Sequence, residues 1–440
     1  MKQPAGPGST LSIVDAVVIV IGIVVGAGIF KTPSLVAAST GSESIFLLVW
    51  FAGGLATLIG ALCYAELASA YPDAGGDYHF LTRAFGRGPG FLFAWARMTV
   101  IQTGSIAMLA FLVGDYLSQV RTLGAYSSSL YAAAVVIMLT AANIAGIRQG
   151  NGLQRLFTSA IVLGLLFIIA AGFSADPAAG AQPGAVLAEN PAFGMAMIFV
   201  LLTYGGWNEA AYLSGEVRNP GRNMVRILLY SIMAITLLYL VTNFVLLKTL
   251  GLAAMADSEV VAADLMRSVL GENGALFISI LIALTALSTM NGSIITGART
   301  NYAVGRDLPR FSFLGQWQSK RGTPINALLL QAGIALLLIA LGTGAHSGFV
   351  TMVEYTAPIF WLFFLLAGIS LFILRRLDPG RPRPFRVPAY PLTPFLFCAI
   401  CLYMLIASVL YTGSGALVGL AVLAAGLPLL WRKTPTNEGK

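Results

Sequence analysis

Twelve long apolar stretches dominate this sequence, and they restrict it to an all-α integral membrane protein. Their lengths of 17 to 31 residues suit membrane-crossing helices, which need ~20 residues, whereas barrel strands would be ~10-residue alternating segments. Only 10% of the residues are charged and 57% are hydrophobic, too little charge for a water-facing surface. Soluble enzymes, nucleic-acid binders and disordered proteins are thereby excluded. The stretches cover residues 12–39, 45–69, 90–119, 128–147, 152–174, 192–214, 223–248, 273–303, 324–342, 349–374, 392–411 and 415–431.

Basic residues predict the orientation. With the N-terminus placed in the cytoplasm, 21 of the 26 lysines and arginines fall in cytoplasmic segments, and only Arg121, Lys248 and Arg267 fall on the other side. Cytoplasmic loops of membrane proteins carry such an excess. We therefore expect a multi-pass protein of the plasma (cytoplasmic) membrane with both termini inside. The lipid bilayer is an expected partner and nucleic acid is not.

Two of the apolar stretches contain helix-weakening residues at corresponding places. The first has Gly26 and Gly28 shortly before Pro33, and the sixth has Gly205 and Gly206. Paired interruptions about 180 positions apart indicate an inverted-repeat transporter with a binding site near the middle of the membrane. The alternative is that the glycines only allow close helix packing.

Broken helices would present backbone groups of opposite polarity at the same depth. Free N–H groups after the first break would bind a carboxylate, and free carbonyls at the second would accept from an ammonium. An α-amino acid carries both charges on one carbon. We therefore predict carboxylate binding by Gly26, Ala27, Gly28 and Ile29, and amino-group binding by Leu202, Thr203, Tyr204 and Gly205.

Five motifs, in order along nearly the whole chain, carry a family resemblance. They are Gly26-Ala27-Gly28-Ile29-Phe30; Tyr64-Ala65-Glu66-Leu67 with Pro72 to Tyr78; Tyr204-Gly205-Gly206-Trp207-Asn208 with Gly215 to Pro220; Asn291-Gly292-Ser293 with Gly305 to Pro309; and Arg383-Pro384-Phe385-Arg386-Val387-Pro388. With them the chain resembles the amino acid–polyamine–organocation (APC) superfamily, and within it the L-type amino-acid transporters.

The resemblance implies one polytopic domain over residues 1–440, with about twelve transmembrane helices. It implies a LeuT-type five-plus-five inverted repeat with broken helices one and six, the repeats covering 12–174 and 192–374 and two extra helices covering 392–431. It also implies alternating access of an amino-acid substrate, by exchange or by proton-coupled symport. A cationic amino acid or polyamine permease, or a nutrient sensor with a transporter fold, is the alternative.

Three departures from the family pattern bear on substrate and partners. Ile161 stands where many relatives carry a lysine in the fifth span, so the linkage made by that lysine is in doubt. The loop from Val120 to Ser127 lacks the cysteine through which animal relatives join a glycoprotein, so no disulfide-linked heavy chain is expected. Asn208 replaces the glutamate of many cationic amino-acid carriers and favours a neutral substrate.

Intramembrane charges are costly and need an explanation. Lys31 either pairs across the cavity with a carboxylate or snorkels to the outer face, and Glu209 either takes part in proton coupling or faces water. Ser288 and Thr289 either bind a coupling ion or bond to their own helix. Glu66 is explained by an interfacial position at a predicted helix end.

The remaining predictions concern the pocket and the chemistry. Side-chain pocket or gate positions are Ser105, Gly206, Trp207 and Asn208. The only histidines, His79 and His346, form no catalytic or metal-binding pattern, so an enzyme is not expected. No cofactor or metal is expected; a coupling proton remains open, and sodium is the less favoured ion.

Overall fold

Among the residues that the computed structural model describes, eight helices are long and apolar enough to cross a membrane, and three shorter apolar helices accompany them. The regular secondary structure of the described residues is helical. In addition, an isolated β-bridge joins Gln318 to Thr323. The structure describes residues 12–73, 76–146, 151–175, 192–208, 210, 217, 219–307, 309–318, 323–345, 347–412 and 414–431. The predicted multi-pass, all-helical fold class is confirmed.

The α-helices of the described residues follow one another along the chain, with connections that differ widely in length. In order they are α1 (Ile13–Val24), α2 (Thr32–Ser39), α3 (Glu43–Ala70), α4 (Asp77–Phe85), α5 (Arg87–Ala96), α6 (Gln102–Val120), α7 (Ser127–Ile144), α8 (Asn151–Ser174), α9 (Phe193–Thr203), α10 (Pro220–Leu250), α11 (Leu252–Asp257), α12 (Val261–Asp307), α13 (Ile325–Thr343), α14 (Gly348–Leu377), α15 (Leu392–Tyr411), α16 (Ser414–Ala424) and α17 (Leu427–Trp431). Ala27–Phe30 and Pro309–Phe311 are 3₁₀ turns, and Arg97–Ile101 is a π-helical turn that joins α5 to α6.

Local sequence signals explain several helix ends. The Ser42 side chain accepts a hydrogen bond from the backbone N–H of Ile45 at 3.3 Å and so caps α3, as serine commonly does. Pro33 and Pro220 lie in the first turns of α2 and α10, where the missing N–H has no cost. The polar segment 250–272 forms α11 and the start of α12. Gly271, with φ of +70°, turns the chain before α12 becomes apolar.

The first of two compact units comprises residues 1–85, 158–282 and 361–411. In it, α3 packs against α10, α9 and α15, while α1 packs against α10 and α2 packs against α9 and α11. Its largest fully buried side chains include Trp50, Tyr64, Tyr204 and Tyr239. The predicted inverted repeats concern internal symmetry rather than contact, and they stay a prediction.

The second unit comprises residues 86–157, 283–360 and 412–440. Here α6, α7 and α13 pack together, and amide side chains fix the second half of α12. Asn143 donates to the Asn291 side chain at 2.7 Å, Gln102 to the carbonyl of Ser293 at 2.8 Å, and Gln331 to that of Ile294 at 3.1 Å. Such bonds between helices stabilise packing in an apolar environment.

Candidate substrate site

The first predicted break is present. The helix α1 ends at Val24, Gly26 is extended (φ −96°, ψ −174°), and a 3₁₀ turn runs from Ala27 to Phe30 before α2 begins at Thr32. The first N–H groups of a helical segment have no partner within that segment. The predicted carboxylate-binding residues Ala27, Gly28 and Ile29 therefore lie where the chain offers such donors.

The second predicted break is also present. The helix α9 ends at Thr203 and a turn follows. Gly206 in that turn has φ of +97°, a conformation that favours glycine. At Gly205, an added Cβ would lie 2.8 Å from the carbonyl oxygen of Leu202, so no larger residue fits without a shift. That carbonyl accepts from the N–H of Gly205 at 2.9 Å and keeps a second lone pair.

The two breaks lie against each other within the first unit. A Cβ added to Gly28 would lie 3.8 Å from Thr203, and a Cβ added to Gly206 would lie 3.1 Å from Cγ2 of Ile23. The hydroxyl oxygens of Thr32 and Thr203 are 2.6 Å apart. We call residues 23–32 and 202–206, together with Tyr239, the break site.

Tyr239 connects the two breaks, and the sequence analysis missed it. Its side chain is fully buried, and its hydroxyl lies 3.0 Å from the carbonyl oxygen of Val24 and 3.1 Å from that of Thr203. These carbonyls are the last of α1 and α9, so one O–H serves two helix ends that lack intrahelical donors. The available signal was a tyrosine inside an apolar span, because its hydroxyl requires a partner when buried.

The predicted gate residues after the second break are packed inside the first unit. Trp207 is 5% exposed, and its ring contacts those of Tyr64 and Phe364 at centroid distances of 5.0 and 5.7 Å. The Asn208 amide nitrogen lies 3.4 Å from a carboxylate oxygen of Asp77. Glu209, the predicted coupling residue, lies outside the described residues.

Lys31 directly follows the first break and is only 5% exposed. Its ammonium donates to the backbone carbonyl of Glu259 at 2.8 Å. Glu259 lies between α11 and α12, in a loop that the charge pattern predicts to be on the outer side. The side chain therefore extends in the direction expected for snorkelling, but it ends against protein.

Three predicted residues belong to the second unit. The hydroxyl of Ser105 donates to the carbonyl of Ile101 at 2.8 Å, and that of Thr289 to the carbonyl of Thr285 at 3.2 Å. Ser288 is 2% exposed. For Thr289 the bond to its own helix is the second of the two predicted alternatives. An ion-binding role for Ser288 and Thr289 stays a prediction. Within the described part of the chain, no three His, Cys, Asp or Glu side chains are grouped to hold a metal ion.

Glu66 differs from the interfacial position expected for it. Its side chain is 1% exposed and accepts from Nε of Arg375 at 2.7 Å and from the backbone N–H of Val387 at 2.7 Å. The guanidinium of Arg383 lies 3.4 Å away. The reason is that the loop before α15 folds back over the end of α3. These four residues, the Glu66 cluster, join two sequence motifs that had been considered separately.

A more exposed ion pair lies beside the Glu66 cluster. Asp378 accepts from the Tyr71 hydroxyl at 3.0 Å and from Arg83 at 3.1 Å. The hydrogen bond from Arg83, followed by that from Tyr71, lowers the pKa of Asp378. Burial, and then the bond to Asp378, raises the pKa of Tyr71. Both shifts favour the charged aspartate bonded to the neutral phenol.

Comparisons with known proteins show the family to which the chain belongs. The family model for amino acid permeases matches residues 11–425. The mouse large neutral amino acids transporter small subunit 2 is 29% identical over 435 residues, covering 95% of this chain and 80% of the relative. The mouse Asc-type amino acid transporter 1 is 28% identical over 97% of this chain and 82% of the relative. For the mouse b(0,+)-type amino acid transporter 1 the identity is 27%, over 91% of this chain and 82% of the relative.

Proposed function

This chain belongs to the amino acid permease family and is an amino-acid transporter rather than an enzyme, and from that premise we propose that it carries neutral L-amino acids at the break site by alternating access. The observation on which the proposal depends is the proximity of the two breaks: a Cβ added to Gly28 would lie 3.8 Å from Thr203. It brings the start of one helical segment beside the end of another.

The polarity of the two segments suits a zwitterion. Helix starts favour negative charge and helix ends favour positive charge, by about 0.3–1 kcal/mol per charged group at exposed sites and more where water is excluded. The N–H groups of Ala27 to Ile29 would bind the substrate carboxylate, and the carbonyls of Leu202 to Gly205 would bind its ammonium. Such a site needs no buried counter-ion, whose desolvation would be costly.

Two observations support a neutral substrate side chain. Position 208, which follows the second break, is an asparagine, and its side chain carries no charge for a cationic substrate. Its amide group lies 3.4 Å from the Asp77 carboxylate. The mouse relative at 29% identity is named as a transporter of large neutral amino acids. Leu202 would then supply an apolar part of the pocket wall, and a pocket role for Ser105 stays a prediction.

We also propose the membrane placement. The protein lies in the cytoplasmic membrane with both termini inside, because of the excess of basic residues in the segments assigned to that side. It functions without a disulfide-linked second chain and without a bound cofactor. A proton is the proposed coupling ion if transport is coupled, and exchange is the alternative mode.

Uptake into proteoliposomes tests the function and separates these modes. Vesicles are preloaded with unlabelled leucine, or are given an inward proton gradient, and uptake of labelled leucine is compared with that of empty vesicles in symmetric buffer. We expect stimulation by one of these two conditions, and inhibition by unlabelled neutral amino acids but not by lysine or putrescine. Equal uptake by protein-free vesicles would reject the transport function, and stronger competition by lysine would reject the neutral substrate.

A further inference from the structure

Lys31 is a predicted coupling residue whose side chain contacts a distant segment of the chain. Its backbone is part of the first break, because its N–H donates to the carbonyl of Gly28 at 3.0 Å and its own carbonyl accepts from the Ser34 hydroxyl at 2.9 Å. Its side chain leaves the break and contacts Glu259, 228 positions away. One residue therefore joins the break site to a distant loop.

The position is an unfavourable one for a lysine. Its ammonium is buried, and a buried cation is costly in a membrane protein. Lys31 also caps the start of α2, where the helix dipole disfavours positive charge. A methionine would occupy similar space without either cost. The 2.8 Å bond to Glu259 is an interaction that a lysine makes and a methionine cannot make.

The loop that accepts this bond is also linked to α2 through its neighbouring helix. The helix α11 precedes Glu259 and contacts α2, the segment that begins one residue after Lys31. The outer half of the first span is thus held at two points, by apolar packing along α2 and by a hydrogen bond at its first residue.

We propose that Lys31 is a positioning residue for substrate binding. It ties the start of α2 to the loop at Glu259, and thereby fixes the N–H groups of Ala27 to Ile29 where the substrate carboxylate binds. The inference rests on the proposed function. It assigns Lys31 a role in substrate affinity rather than in proton transfer. Lys31 acts through the backbone of the first break and does not touch the substrate.

Transport kinetics provide the first test. In proteoliposomes we expect Lys31→Met to raise KM for leucine about tenfold with a maximal rate within twofold of wild type, and Lys31→Arg, which retains a charged donor, to restore KM to within about threefold. Lys248→Met is the matched control, since Lys248 is the lysine assigned to the outer side and its ammonium also lies near carbonyls, at 3.4 Å from those of Phe173 and Ala175. An unchanged KM in Lys31→Met, or a rise that Lys31→Arg does not reverse, overturns the proposal.

A second measurement needs no transport. Ser34 lies on α2 and is 2% exposed, so Ser34→Cys places a thiol where loosening of α2 would expose it. We expect a water-soluble maleimide to label this introduced thiol about ten times faster with methionine at position 31 than with lysine, after subtraction of labelling in protein that retains Ser34. Equal labelling rates with methionine and with lysine at position 31 would overturn the proposal that Lys31 holds α2 in place. If the wild type carries no amino acid at all, the proposed function fails, and the labelling result still decides whether Lys31 holds α2.

Discussion

The break site and the Glu66 cluster satisfy buried polar groups in opposite ways. At the break site, apart from the Lys31 ammonium, the polar groups are backbone N–H and C=O groups at helix ends. The hydroxyls of Tyr239 and Thr32 bond to carbonyls there, and the Thr32 hydroxyl also pairs with that of Thr203. In the Glu66 cluster, apart from the backbone N–H of Val387, the polar groups are full charges on side chains.

The difference matches what each region has to do. Hydrogen bonds between neutral groups contribute about 0.5–1.5 kcal/mol each, so a substrate that brings two charges can compete for them. A buried carboxylate with two guanidinium partners is costly to break, so the Glu66 cluster suits a fixed joint between α3, α14 and the loop before α15. The comparison predicts that changes in the Glu66 cluster lower stability, and that changes in the break site lower transport.

The largest effect is expected for Glu66→Ala. It leaves the guanidinium groups of Arg375 and Arg383, whose side chains are 18% and 8% exposed, without their carboxylate. Breaking a fully buried ion pair costs about 3–5 kcal/mol, which is an upper bound here. The thermal unfolding midpoint in detergent should fall strongly, and little folded protein should be recovered. Glu272→Ala is the control, because Glu272 forms an ion pair with Arg267 while 73% exposed, and such pairs contribute little. Equal midpoints for Glu66→Ala and wild type would contradict the role of the cluster.

The next effect is expected at Gly28. A methyl group at this position would lie at ordinary contact distance, 3.8 Å from Thr203, so Gly28→Ala should keep measurable uptake. The two further methyl groups of Gly28→Val overfill the gap, and such overpacking costs about 1–3 kcal/mol, so uptake should fall below about 1% of wild type, while insertion into the membrane is unchanged.

Gly333→Val is the matched control for Gly28→Val. Gly333 also lies within an apolar helix, α13, and apart from the backbone of that helix nothing lies within 4 Å of its added Cβ. This variant should transport normally. Normal uptake by Gly28→Val would remove the break site as the place where substrate binds.

Local chain properties explain which parts of the molecule could be predicted. Apolar length located the helices, and glycines next to Pro33 located the first break, because both signals depend on neighbouring residues only. The bond from Tyr239 to Val24 joins residues 215 positions apart, and that from Arg375 to Glu66 joins residues 309 apart. Neither partner is implied by the residues around it.

At Glu66, the position of the charge near a helix end did not predict that its carboxylate is buried by protein. A carboxylate near a predicted helix end is adequately explained by water, and only the folded path of the loop containing Arg383 and Val387 shows that water is replaced by protein. Both motifs had been identified in the sequence. Their contact follows from the packing of α15 against α3, which periodicity does not specify.

A smaller effect on the break site is expected for Tyr239→Phe. It removes the hydroxyl shared by the carbonyls of Val24 and Thr203. Because the Val24 carbonyl also accepts from the N–H of Gly26 at 2.7 Å, the loss falls on the buried carbonyl of Thr203, at a cost of about 1–3 kcal/mol. KM for the amino acid should rise about tenfold in uptake assays, while the unfolding midpoint changes much less than in Glu66→Ala. Tyr230→Phe, on the exposed face of the same helix, should match wild type. A fall in the unfolding midpoint without a change in KM would show that Tyr239 stabilises the fold and does not shape the substrate site.

The smallest effect is expected at Asp378, the exposed ion pair beside the Glu66 cluster. Because Arg83 and Tyr71 lower its pKa in the folded protein, the charged carboxylate stabilises the fold at pH values above its unfolded pKa of about 3.9. That contribution is lost as the pH falls through the lower, folded pKa. The unfolding midpoint of Asp378→Asn should therefore lie slightly below that of wild type at pH 7, and the gap should close toward pH 3. A gap that widens in acid would show that protonation of Asp378 strengthens this contact instead, and the sign of the shift would be wrong.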